Sequence, residues 1–80
     1  MTLQELQRAV NDGNDFYFMY DEIAAGVESC SLNGSAGYVL WYGDDEWKFR
    51  DLGQLLSAPV IHGNAIRNLM VQKKIDIQFT

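Results

Sequence analysis

The sequence predicts an α+β domain with a mainly antiparallel four- to five-stranded sheet, an N-terminal helix and two short helices before the last strand. Three observations predict this class. Apolar residues recur at helical spacing near the start of the chain and again in its last third. Aromatic-rich runs of strand length lie between these segments, and a strictly alternating run closes the chain. The order α-β-β-β-β-α-α-β places the helices on one face of the sheet.

The first helix is predicted over residues 2–12. Thr2 and Glu5 have the spacing of a capping box, in which each side chain accepts a hydrogen bond from the other residue's backbone N–H. Three apolar side chains then share one helix face: Leu3, Leu6 and Val10. Gly13 can adopt a positive φ and so end the helix.

The middle of the chain predicts four strands. The runs FYFMY (16–20) and YVLWY (38–42) are rich in the aromatic residues that strands favour. Residues 23–32 also fit a strand, in which Gly26 indicates a bulge or a close backbone approach. A helical turn over residues 22–25 is the competing interpretation of that segment.

Turn and cap residues position the other elements. Loops are predicted at residues 33–37 (NGSAG) and 43–46 (GDDE), and residues 47–50 return from the second loop as a strand. Asp51 and Asn64 are the predicted N-caps of two short helices, the first of which ends before the single proline. The closing IDIQF run alternates apolar and polar residues, as the last strand of the sheet should.

Composition limits the classes of function. The 80 residues form a single small α+β domain (1–80), and their net charge of -5 without a basic stripe argues against nucleic-acid binding. No stretch reaches the length of a membrane span and no signal-peptide pattern is present, so we expect a cytoplasmic protein without a membrane partner. One cysteine excludes an intramolecular disulfide and a multi-cysteine zinc site.

Several motifs follow one another along the chain after the short helix: the FYFMY strand, the WYGDDE turn, the LLSAP helix stop, the IHG break and the IDIQF strand. This pattern resembles small uncharacterised α+β proteins of Gram-positive bacteria and their phages. The resemblance covers most of the chain and implies a compact fold and a bacterial or prophage source. Because the motifs are turns, caps and core positions, the resemblance implies no catalytic residue.

Asp44, Asp45 and Glu46 are three consecutive oxygen ligands in a predicted turn. Consecutive residues at the end of a strand point in different directions, whereas a Mg²⁺ or Ca²⁺ cage needs more widely spaced ligands. Asp and Gly are also ordinary turn residues. We therefore interpret the three residues as an acidic turn, and we predict neither a metal nor another cofactor.

His62 is the only histidine and Cys30 the only cysteine. Catalysis by either requires a base, a nucleophile or an orienting acid that folding brings close, and no local motif supplies one. The expected states are an exposed histidine and an inert, apolar cysteine. The chain is therefore not predicted to be an enzyme. The least favoured hypothesis is a small-ligand binder or enzyme, which would require a pocket between helix and sheet lined by His62, Cys30 or the acidic residues.

Both aromatic runs carry apolar side chains on both of their faces. Alternation puts Tyr17 and Met19 on one face of the first run, and Trp41 on the corresponding face of the second. Three short helices cover only one face of the sheet, and a face left to water is usually polar. We predict that Tyr17, Met19 and Trp41 line an uncovered interface. The alternative is that the tyrosines are half-exposed with their hydroxyls in water.

Two binding functions are favoured over the enzyme hypothesis. The first is a non-enzymatic protein-interaction module, with a homodimer as one form, that uses the aromatic sheet face. The second is an acidic phage-type inhibitor or mimic that binds a basic host protein. Seven acidic residues lie near predicted turns or strand ends, and their clustering at one end of the fold would support the second function. They are Asp12, Asp15, Asp21, Glu22, Asp44, Asp45 and Glu46.

Overall fold

A computed structural model describes residues 1–80, in which three helices cover one face of a five-stranded antiparallel sheet. The elements in chain order are α1 (Leu3–Asn11), β1 (Phe16–Tyr20), β2 (Ile23–Leu32), β3 (Ser35–Tyr42), β4 (Asp45–Phe49), α2 (Leu52–Ser57), α3 (Ile66–Val71) and β5 (Gln78–Phe79). The strand order is β4-β3-β2-β1-β5, so four strands form a meander and the last joins it beside β1. The predicted fold class and element order are confirmed.

The core lies between the three helices and one face of the sheet. The sheet buries Phe16, Phe18, Ala25, Val27, Leu40 and Tyr42 in it. The helices and the α2–α3 connection bury Leu6, Val10, Leu52, Leu55, Leu56, Ile61, Ile66 and Leu69. Every buried strand residue in this cluster belongs to the face toward the helices, as the alternation of the two aromatic runs predicts.

The capping box of α1 forms as predicted. The backbone N–H of Glu5 donates to Thr2 Oγ1 at 3.1 Å, and the backbone N–H of Thr2 donates to Glu5 Oε1 at 2.9 Å. The hydrogen bond from the Thr2 backbone N–H, and next the interaction with the Thr2 side chain, lower the pKa of the Glu5 carboxyl because they favour its charged form. A membrane span needs ~20 residues; none of the helices is of such a length, and α1, the longest, has 9 residues.

Two-residue turns make the hairpins tighter than predicted. Asn33 and Gly34 have φ of 52° and 84°, so β3 starts at Ser35 and most of the predicted NGSAG loop is strand. In the next hairpin Gly43 has φ of 60° and β4 starts at Asp45, two residues earlier than predicted. A glycine with positive φ at the first turn position matches the twist of the flanking strands, so pairing continues up to the turn.

One competing interpretation and two local predictions are wrong. Residues 22–25 form no helical turn, because β2 pairs with β1 from Ile23 onward. Asn64 does not cap α3; its amide donates to the carbonyls of Ile61 and His62 and closes a turn there, while Ala65 is an N-cap without a side-chain bond. The IDIQF run pairs with β1 only at Gln78–Phe79, although the preceding isoleucines pack against the core.

Candidate functional site

The sheet face away from the helices, here called the outer face, carries one row of residues across all five strands. From edge to edge the row is Gln78, Tyr17, Gly26, Trp41 and Glu46. Met19 lies on the same face of β1, one alternation further along the strand. The tyrosine is 43% exposed and the methionine 55% exposed. The three side chains predicted for an uncovered face therefore do lie on the face without helices.

The indole of Trp41 lies across the backbone of Gly26. A Cβ at position 26 would be 2.5 Å from Trp41 Cζ2, which is closer than carbon atoms can approach. Pairing of β2 with both neighbours is continuous through this glycine, so Gly26 marks a close approach and not a bulge. The contact leaves Trp41 half-buried without any helix above it.

A second glycine has the same role further along the outer face. A Cβ at Gly37 would be 2.5 Å from Leu32 Cδ1, so this leucine also lies flat on the sheet. Cys30, the partner of Gly37 in the β2–β3 register, is half-buried beside it. Because two large apolar side chains lie over glycines, the outer face is flatter than its composition suggests.

The acidic turn is exposed, and it lies against a second acidic turn that sequence reasoning did not connect with it. The backbone N–H of Gly43 donates to the carbonyl of Ala24 at 2.9 Å, which joins the β3–β4 turn to the start of β2, directly after the β1–β2 turn. Five exposed carboxylates therefore share one end of the sheet: Asp21, Glu22, Asp44, Asp45 and Glu46. Asp12 and Asp15 precede β1 and lie at the opposite end. Nowhere do three metal-ligating side chains converge.

His62 connects this end of the sheet to the segment between α2 and α3. Its Nδ1 lies 3.0 Å from Asp21 Oδ2, and its ring meets that of Tyr42 edge-on with centroids 5.2 Å apart. The Tyr42 hydroxyl donates to the carbonyl of Tyr20 at 3.1 Å. Burial, and next the charge of Asp21, raise the pKa of the Tyr42 phenol. His62 thus has an orienting acid, which no sequence motif indicated.

A cavity of about 620 Å³ lies between the β3–β4 turn and the His62 turn, and we call it the turn-end groove. Its apolar walls and acidic rim are formed by Ile23, Tyr42, Trp47, Val60, Asp44 and Asp45, with His62 at one side. The lining contains no Ser, Thr, Cys or Lys that could act as a nucleophile. Of the residues expected near a pocket, His62 and the acidic Asp44 and Asp45 do line this groove, whereas Cys30 is on the outer face near the opposite end of β2.

No protein-family model matches the chain, and no curated protein or solved structure shows significant similarity to it. The outer face and the turn-end groove are the two surfaces of the molecule that could bind a partner. The first offers flat apolar contact area, and the second offers carboxylates beside aromatic rings.

Proposed function

We propose that the protein is a non-enzymatic interaction module whose outer face packs against the outer face of a second copy. One observation carries the proposal: Tyr17, Met19 and Trp41 lie together on the sheet face that no helix covers. Aromatic residues and methionine are enriched at protein interfaces, and aromatic rings bring large contact area with few rotors to immobilise. An exposed apolar sheet face is typical of a binding surface.

Charge distribution favours a second copy as the partner. The outer face itself carries both signs, with Glu28, Glu46 and Lys48 around its apolar centre. A two-fold axis running across the strands would place the acidic end of each copy over the opposite end of the other. The five-carboxylate ends of the two copies would then stay apart while the two flat centres meet, in a self-complementary contact of the kind that closed dimers use.

Light scattering coupled to size exclusion tests the proposal, with two matched charge insertions. Met19→Asp places a carboxylate on the outer face and should convert the dimer to a folded monomer. Val71→Asp makes the same change on α3, where the valine is 77% exposed, and should leave the dimer intact. Circular dichroism verifies that both variants fold.

Two outcomes would contradict the dimer. One is a wild-type protein that stays monomeric at the highest attainable concentration, and the other is equal dissociation by both variants. The proposal also includes the bacterial or prophage source and the cytoplasmic location expected from the sequence. The first is supported by the motif resemblance, and the second by the composition.

A further inference from the structure

We propose that the turn-end groove docks an arginine-containing basic segment of a different protein. The groove is separate from the outer face. Ile23, Tyr42 and Trp47, which line it, point to the helix side of the sheet, whereas Trp41 points to the other side. A dimer formed through the outer face leaves the groove open, so both surfaces can be occupied at once.

The walls of the groove suit a guanidinium group. Trp47 presents a half-buried indole, on which a planar cation stacks, and the buried Tyr42 ring also lines the groove. Asp44 and Asp45 stand at the rim as acceptors for the fork of N–H donors of the guanidinium. Ile23 and Val60 add apolar surface for the methylene stem of a long side chain. The volume of about 620 Å³ lies within the range of ligand-binding pockets.

The charges of the lining residues distinguish this groove from the other two cavities of the molecule and favour a cationic ligand. One other cavity is lined by Lys73, Lys74 and Asp76, and the third is lined by both Arg50 and Asp51. The turn-end groove alone has carboxylates and no Lys or Arg in its lining. Five of the eleven acidic residues lie in the two acidic turns at this end of the sheet. The remaining six equal the six basic residues in number, so these five carboxylates account for the net charge of -5.

The groove is held open by contacts within the fold. The contact of His62 Nδ1 with the Asp21 carboxylate at 3.0 Å joins the two turns on either side of Tyr42. The hydrogen bond from Gly43 to Ala24 fixes the acidic rim against β2. A wall that is already in place loses little conformational freedom on binding, which favours association. No Lys or Arg pairs with the rim carboxylates, so they are available to a foreign cation.

The two tryptophans provide the test, because Trp47 lines the groove and Trp41 lies on the outer face. The probe is a synthetic peptide of alternating arginine and alanine, compared with a peptide in which citrulline replaces each arginine. In two-dimensional NMR titrations, the arginine peptide should shift the indole N–H signal of Trp47 and leave that of Trp41 in place. Citrulline keeps the shape but not the charge, so its peptide should bind at least roughly tenfold more weakly.

Two variants of equal net charge separate the groove from diffuse attraction. Asp44→Asn/Asp45→Asn should weaken binding of the arginine peptide roughly tenfold, since two exposed charge pairs are lost. Asp12→Asn/Asp76→Asn changes two exposed carboxylates outside the groove and should weaken binding only slightly. Equal weakening by both variants, equal binding of the citrulline peptide, a shift confined to Trp41, or no shift at low ionic strength would each overturn the proposal.

Discussion

Gly26 is the residue on which the shape of the outer face depends. Without a side chain there, the Trp41 indole can lie on the β2 backbone, where it fills the space between β3 and β1. Any larger residue would lift the ring off the sheet and turn a flat surface into a ridge. The absence of a side chain at position 26 therefore makes the flat contact surface possible.

Gly26→Ala should lower the free energy of unfolding by ~1–3 kcal/mol, because its Cβ would overlap the indole. In a Trp41→Ala background the overlap is absent, and the same substitution should cost nothing or stabilise the strand. Urea denaturation of the four proteins gives the coupling free energy. Equal costs of Gly26→Ala in both backgrounds would show that the ring does not occupy this position.

The phenol of Tyr42 makes the free energy of unfolding depend on pH in the alkaline range. Its pKa is raised in the folded protein, so the folded state holds the phenolic proton more tightly than the unfolded chain does. The contribution is complete below the unfolded pKa of ~10 and is lost as pH rises through the higher folded pKa. Tyr42→Phe should cost ~0.5–1.5 kcal/mol at pH 7, since the bond to the Tyr20 carbonyl is lost.

The difference in stability between wild type and Tyr42→Phe should therefore shrink above pH ~10. Chemical denaturation at a series of pH values measures it. A difference that stays constant across this range would contradict the account of the buried phenol.

Residue contacts were the least predictable level of the molecule. The sequence indicates that something approaches Gly26, but nothing local to the glycine identifies Trp41, 15 positions later, as the residue involved. Likewise Asp21 and His62 meet only because a β-turn and a helix connection reach the same end of the sheet. Such contacts arise from strand register, which sequence alternation does not define by itself.

At the scale of elements, the β1–β2 turn is the most unusual. Asp21 and Glu22 both have positive φ, 52° and 62°, in a position where Asn-Gly is preferred and where the next hairpin does have Asn33-Gly34. A non-glycine residue in this region costs ~1–2 kcal/mol. The turn is retained with its two carboxylates, one of which pairs with His62.

Glu22→Gly should raise the free energy of unfolding by ~0.5–1 kcal/mol, because relief of backbone strain exceeds the added entropy of the unfolded chain. Glu28→Gly is the matched control within β2, where φ is not positive, and it should destabilise the protein. Thermal or urea unfolding compares the two. Destabilisation by Glu22→Gly as large as that by Glu28→Gly would contradict the strain argument.

The existence and type of every element were predictable, whereas several ends were not. Caps with a local hydrogen bond were predicted correctly at Thr2 and Asp51. Asn64 failed because its amide has a competing local use in closing the His62 turn. The last strand is shorter than its alternation suggests, since Ile75 and Ile77 pack against the core without pairing to β1.

At the scale of the whole molecule, the sheet separates two surfaces of different chemistry. The outer face is apolar at its centre, and the end with the two acidic turns holds the net charge of -5. The division into two faces was predictable from alternation alone. The gathering of five carboxylates was not, because it requires the meander to bring the first and third turns to the same end.

An isotope-filtered NOE experiment on an equimolar mixture of labelled and unlabelled protein detects the proposed dimer interface itself. A dimer through the outer face should give intermolecular NOEs from the Met19 methyl group to the rings of Tyr17 and Trp41. Trp41→Ala should remove these NOEs and weaken association by ~2–4 kcal/mol. Absence of intermolecular NOEs at millimolar concentration, or NOEs that arise only from residues outside the outer face, would contradict the account.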